Sequence, residues 1–167
     1  MFYFLTFPGV IIHEWAHKIF CQLSGLKVVK VVYFKFGNPS GYVIHEAPQN
    51  YLQSFLVATG PIIFNSLIAC ILSYGISYLT PGSYWRFIIL WLAFSIAFHA
   101  FPSDKDLSGA ASDGLLALKR GTSLWPLIGF PLLGLMWLAG HFGVVFKIAF
   151  ALLLFLFGVA RSGLLVL

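Results

Sequence analysis

The chain has 167 residues, of which 60% are hydrophobic, 18% aromatic and only 9% charged, with a formal net charge of +5. Soluble domains carry about 25% charged residues, so the composition excludes an ordinary soluble domain and predicts an integral membrane protein, one helical domain over residues 1–167. The ten Lys and Arg form no basic cluster, which excludes a nucleic-acid partner and reads as topological signal and contact with the lipid bilayer.

The first apolar segment runs from about Phe2 to Leu23, where Pro8-Gly9 is expected to bend the chain or to mark the start of regular helix. Without a basic leader or a cleavage site, this segment is expected to be a retained helix and not a signal peptide. Next comes an extended polar region, roughly Ser24 to Asn50. Val28–Lys35 is rich in β-branched and aromatic residues, Phe36-Gly37-Asn38-Pro39-Ser40-Gly41 is turn chemistry, and Gly41–Glu46 alternates, which predicts a β-hairpin over about 28–46. Tyr51–Leu79 is the second hydrophobic segment, expected to break early at Gly60-Pro61 and to end at the turn Thr80-Pro81-Gly82. Tyr84–Phe101 is the third, with Tyr84, Trp85 and Arg86 as an interfacial anchor. After Pro102-Ser103, Asp104–Leu118 predicts a shorter helix whose Ser, Gly and Ala allow close packing inside a bundle, ending at Lys119-Arg120-Gly121. Trp125–Phe142 and Val144–Leu165 predict two further spans, joined through residues 140–143 as a terminal helical hairpin over about 124–165. The expected fold class is therefore an all-α integral membrane helix bundle of about five spans plus a short helix, with a small β-hairpin between the first and second spans.

Placing the polar region 24–50 in the cytoplasm puts Lys18, Lys27, Lys30, Lys35, Lys105, Lys119, Arg120 and Arg161 inside and only Arg86 and Lys147 outside. That bias predicts a multi-pass protein with its polar chemistry toward the cytoplasmic side.

The chemistry is carried by His13-Glu14-Trp15-Ala16-His17 within the first apolar segment. On a helix, positions i and i+4 share a face about 6 Å apart in rise, close enough for two imidazoles to bind one Zn²⁺. Glu14 flanks them, where it can take a proton from a metal-activated water. An unpaired acidic residue at the centre of a membrane helix costs roughly 2.5–3.5 kcal/mol, so Glu14 calls for a function; the structural alternative is an interfacial polar cluster bonded to neighbouring helices.

A catalytic zinc takes a third protein ligand and keeps an open position. Cys21 shares the face but lies about 12 Å along the axis from His13, too far for one tetrahedral ion. His45 and Glu46 sit on the hairpin and reach the motif only if the hairpin folds into the membrane. Asp113 lies midway along the short helix, and His99 and His141 stand singly near helix ends. The strongest candidates are Asp104 and Asp106, after Ala100-Phe101-Pro102-Ser103. Asp106 also fits a Ser-x-x-Asp helix start, a structural reading in its own right. Position in the first helical turn favours Asp106, giving His13, His17 and Asp106 as the metal set with Asp104 as the alternative.

Three stretches, in this order, resemble the site-2 protease family of intramembrane zinc metalloproteases: Phe7–His17, then Ala58-Thr59-Gly60-Pro61 followed by Asn65, then Ala100-Phe101-Pro102 followed by acidic residues. The resemblance covers roughly residues 7–107. It implies a membrane helix bundle with a β-hairpin after the zinc helix, a Zn²⁺ cofactor and hydrolysis of peptide bonds in membrane-protein or peptide substrates. It implies that His13 and His17 are ligands, that Glu14 is the acid/base, and that an Asp after Phe-Pro completes the site. By direct spacing that Asp is Asp104. The family usually has Gly after this Asp, whereas Asp104 precedes Lys105 and Asp106 precedes Leu107. The alternative function is a catalytically silent membrane scaffold or metal-binding protein that retains the fold.

Overall fold

The computed structural model of the protein describes residues 2–80, 82–141 and 143–161. It is mostly helical with one two-stranded sheet. Helix α1 (Phe2–Leu5) and α2 (Phe7–Leu23) are separated at Thr6, and Pro8 occupies the first turn of α2. A proline costs no hydrogen bond there, because first-turn N–H groups have no intrahelical partner. Pro8-Gly9 therefore begins the helix, one of the two outcomes expected. At the other end Gly25 takes φ 75°, Leu26 N–H donates to Cys21 O and Gly25 N–H to Gln22 O. This is a Schellman closure, which turns the chain back along α2.

The strands β1 (Val28–Val32) and β2 (Tyr42–His45) pair antiparallel, Val32 opposite Tyr42 and Val28 opposite His45, with an irregularity between Val28 and Lys30. The hairpin lies along α2. Val28 and Val43 pack on Cys21 and Leu26, Tyr33 receives a hydrogen bond from Lys18, and the rings of Phe34 and Phe36 meet those of Phe7 and Phe4 at 5.8 and 5.9 Å.

Helix α3 (Tyr51–Gly75) is capped by Asn50, whose side chain accepts from Gln53 N–H, and runs into a 3-10 turn at Ile76–Tyr78. The expected break at Gly60-Pro61 is absent: α3 is continuous with Pro61 inside it. An internal proline removes one hydrogen bond and pushes aside the carbonyl four residues earlier, and a helix tolerates this where another group satisfies that carbonyl. Here another helix supplies it, as described below.

Helix α4 (Tyr84–Phe98) runs parallel to α2. Trp91 Nε1–H donates to Leu5 O, Gly9 N–H to Ser95 Oγ, and His13 Nδ1–H to His99 O, each pair 86 residues apart. Gly9 sits so close to α4 that a Cβ there would lie 2.0 Å from Ser95 O. Helix α3 is antiparallel to α4 and packs through Ala69 against Ile96 and Ala97.

Helix α5 (Asp104–Lys119) starts at a capping box between Ser103 and Asp106 and runs along the first half of α3, with Leu107 and Ala110 against Ala58. Helix α6 (Pro126–His141) returns along α5, with Leu133 in the same cluster and Phe130 against Gly114. Helix α7 (Gly143–Arg161) then turns away by 108°. It packs on α3 and α4, through Ala151 on Ala69 and Ala97 and through Phe146 and Phe150 on Phe101. The expected terminal hairpin is thus a bent pair, α6 resting on α5 and α7 on the α3–α4 face; its turn residue Phe142 and residues 162–165 lie outside the described residues. Lys147, in the first turns of α7, falls within electrostatic reach of Asp104.

Among the described residues, one helix is long and apolar enough to cross a membrane, the 28-residue stretch Tyr51–Tyr78 with mean hydropathy 2.1. The bent α6–α7 pair is a second if it counts as one span, and α4 is a shorter apolar helix.

The contact of Gly9 with α4 gives a stability prediction with a built-in control. Gly9→Ala is expected to destabilise the protein by about 1–3 kcal/mol through overpacking. Gly134→Ala on α6 has open space around the new methyl group and is expected to be neutral or to add about 0.5–1 kcal/mol. Unfolding in detergent, followed by helical circular dichroism, checks both; equal effects would refute the close approach.

Candidate metal centre

One turn of α2 presents His13 and His17 on the same face, and their rings meet edge to face with centroids 4.7 Å apart. Each ring is held by its Nδ1. His13 Nδ1–H donates to His99 O at 2.7 Å, and His17 Nδ1–H donates to Val57 O at 3.0 Å. A carbonyl oxygen only accepts, so both Nδ1 atoms carry the proton. In the neutral rings both Nε2 atoms then present lone pairs, and these atoms face each other at 3.1 Å.

Asp106 closes the third side. Its Oδ2 lies 3.4 Å from His17 Nε2. The same oxygen accepts from Ser103 N–H at 2.8 Å and from Ser103 Oγ–H at 2.6 Å, while Asp106 N–H donates back to Ser103 Oγ. The helix-start reading of Asp106 and the ligand reading therefore describe one carboxylate: the capping box aims the group that faces the imidazoles.

One ligand atom from each of His13, His17 and Asp106 lies within 4.8 Å of the others. Two imidazole nitrogens and a carboxylate oxygen suit a divalent transition ion. Two lone pairs and an anionic oxygen converging on one small volume repel one another unless a cation sits between them. The donor set fits a metal ion, and these three residues would hold it.

Glu14 is buried beside them, 8% exposed. The start of β2 covers it: a Cβ added at Gly41 would lie 2.6 Å from Glu14 Cγ and 2.9 Å from its Oε1. The hairpin thus crosses the motif by way of a residue with no side chain. Beside Asp106 a cavity of about 160 Å³ opens between α3 and α5. Val57, Ala58 and Ala110 form its walls, and Asp113, which accepts from Ser54 Oγ–H at 2.6 Å, lies on its lining.

The other sequence candidates sort cleanly. Asp104 lies within electrostatic reach of Lys147 and lines a separate groove between α5 and α6. His45 borders the cavity, but its Nδ1 is bonded to the Glu46 carbonyl. His99 contributes its backbone oxygen to the site, while its ring bonds Thr6 Oγ1 at 2.8 Å. Cys21 is wholly buried against Leu26 and Val57, and His141 stacks on Trp137.

Sequence reasoning singled out Gly60-Pro61 and Asn65 by resemblance but did not reach what they do behind the candidate ligands. Asn65, fully buried, donates to the carbonyls of Ile96 and His99 at 3.3 and 3.1 Å and so fixes the oxygen that holds His13. Val57 O is available because the residue four positions on is Pro61, a signal present in the sequence to anyone asking which carbonyl a helical proline frees.

No protein-family model, no curated protein and no solved structure matches this chain.

Metal analysis tests the centre directly. The purified protein is expected to carry about one divalent ion per chain, lost in His13→Ala and in His17→Ala. Asp106→Asn is expected to lower occupancy sharply while Asp104→Asn retains most of it, and the reverse ordering would move the third ligand to Asp104.

Proposed function

We propose that the protein is a multi-pass, membrane-embedded zinc metallopeptidase that hydrolyses peptide bonds of membrane proteins or membrane-bound peptides, with the site toward the cytoplasmic side. One observation carries this reading: two Nδ1-anchored imidazoles and a capped carboxylate aim three lone pairs at one point, next to a buried glutamate that belongs to no ligand set. A purely structural metal site needs no such glutamate, which is why we favour an enzyme over a silent scaffold or metal-binding protein of the same fold.

Membrane embedding is supported by broad apolar faces turned outward, among them Ile63, Leu67 and Ile71 on α3, each close to 60% exposed. Contiguous apolar surface on that scale suits lipid, not water. We read the helices as a bundle of about five spans, with α5 as a short helix packed against them. Zinc held by His13, His17 and Asp106 would supply a Lewis acid able to make water nucleophilic near neutral pH. Glu14 takes the proton released as the water oxygen bonds to the scissile carbonyl carbon, then delivers it to the amine as the carbon–nitrogen bond breaks. The cavity lined by Asp106, Ser54 and Asp113 gives water a polar approach. A free edge of the β1–β2 hairpin can pair with an unwound substrate segment by strand addition.

Glu14→Gln separates catalysis from metal binding. The variant is expected to keep its zinc and its fold while cleavage of a test transmembrane substrate falls by at least about 10²-fold. Cleavage at the wild-type rate would exclude Glu14 as the acid/base, and zinc-loaded wild type that cleaves no membrane substrate would favour the scaffold.

A further inference from the structure

Pro61 sits in the interior of α3, and the helix passes through it without a break. In an α-helix the carbonyl of Val57 would accept from the N–H of residue 61. Proline has no N–H, and its ring presses against that same carbonyl and tilts it off the helix axis. Val57 O instead accepts from His17 Nδ1 at 3.0 Å. The Val57 side chain plays no part in this bond and packs in the core with Cys21 and Leu26. The neighbouring Gly60 lets α2 approach, since a Cβ there would lie 2.3 Å from the Phe20 ring, close to one turn beyond His17.

From this geometry we infer that Pro61 is a positioning residue of the metal centre: by withholding its own N–H it reserves the Val57 carbonyl for His17 Nδ1–H, and so sets which tautomer His17 adopts and where its Nε2 points. The inference rests on the metal reading of His13, His17 and Asp106. It follows from what an imidazole ligand requires. Its free nitrogen must keep a lone pair, and a fixed acceptor on the other nitrogen secures that and orients the ring. Helical carbonyls ordinarily bond within their own helix, so a missing N–H leaves one mid-helix without that donor and open to a neighbouring side chain. His13 meets the same need differently, through a carbonyl just beyond the C-terminus of α4, where helices end with unpaired oxygens. The centre is thus flanked by two carbonyls released by two separate backbone devices.

The test exploits an opposition between affinity and stability. Pro61→Ala restores an N–H that competes for Val57 O, while placing a better helix former in a helix interior. Zinc affinity of the detergent-purified protein, measured by chelator competition, is expected to fall by about 10–100-fold, the usual cost of losing a partner behind a ligand. The thermal midpoint of the zinc-stripped protein is expected to hold or rise. A second variant carries the α-hydroxy analogue of alanine at position 61, which lacks both ring and N–H, and is expected to recover most of the affinity. With Co²⁺ as probe, Pro61→Ala is expected to alter the d–d absorption bands and the hydroxy analogue to restore them. Unchanged affinity in Pro61→Ala, a hydroxy analogue as weak as alanine, or a Pro61→Ala protein that fails to fold would each overturn the assignment, the last by making the proline's role structural. Wild type that takes up no zinc would overturn the metal reading itself, whereas zinc-binding wild type with an indifferent Pro61→Ala defeats this inference alone.

Discussion

Two hydrogen bonds from imidazole Nδ1 to backbone carbonyls organise the rest of the molecule. Each ties α2 to another helix, His13 to the end of α4 and His17 to the first half of α3. Each also selects the tautomer of a neutral ring, the one whose Nε2 lone pair faces inward. Neither bond could be exchanged for a side-chain partner without changing its meaning: a carboxylate would add charge, and a hydroxyl could donate as well as accept. A backbone oxygen is neutral, rigid and acceptor-only, which makes it a strict selector of one tautomer.

The parallel packing of α2 on α4 makes this arrangement tolerable in an apolar chain. Along it the contacts alternate between close backbone approach and buried polar links. Gly9 lies directly on Ser95, whose hydroxyl accepts from Gly9 N–H and donates to Thr6 O. Thr6 in turn meets the ring of His99. Polar groups that would be costly if left unpaired are matched in pairs along one line, and the line ends at His13. The hairpin then closes the opposite flank of α2, with Gly41 as the point of contact.

Much of this was legible in the sequence, where local rules were sufficient. The His-Glu-x-x-His spacing, the Ser103-x-x-Asp106 start and the turn chemistry of 36–41 each depend on neighbours within a few residues. What escaped was whatever depends on a partner helix. Pro61 reads as a breaker until α2 is placed beside it, and His99 reads as a ring until its carbonyl is found bonded. Helix α6 is apolar on every side, so no periodicity marks the face it buries. The expected pairing of α6 and α7 as a hairpin rested on order along the chain alone. Asp106 offered two readings in the sequence, as a cap and as a candidate ligand, and these looked like competing explanations only because a sequence does not show that one oxygen can face both partners.

That shared oxygen has a thermodynamic consequence. The carboxylate of Asp106 belongs both to the first turn of α5 and to the convergence of lone pairs beside His17. A cation held there and the ordering of that turn are then linked equilibria, and each favours the other by the same free energy. Helix α5 carries α6 through the contact of Leu107 and Ala110 with Leu133. Occupancy of a few cubic ångströms at His17 is in this way written into the cohesion of two helices, one of which supplies no ligand at all.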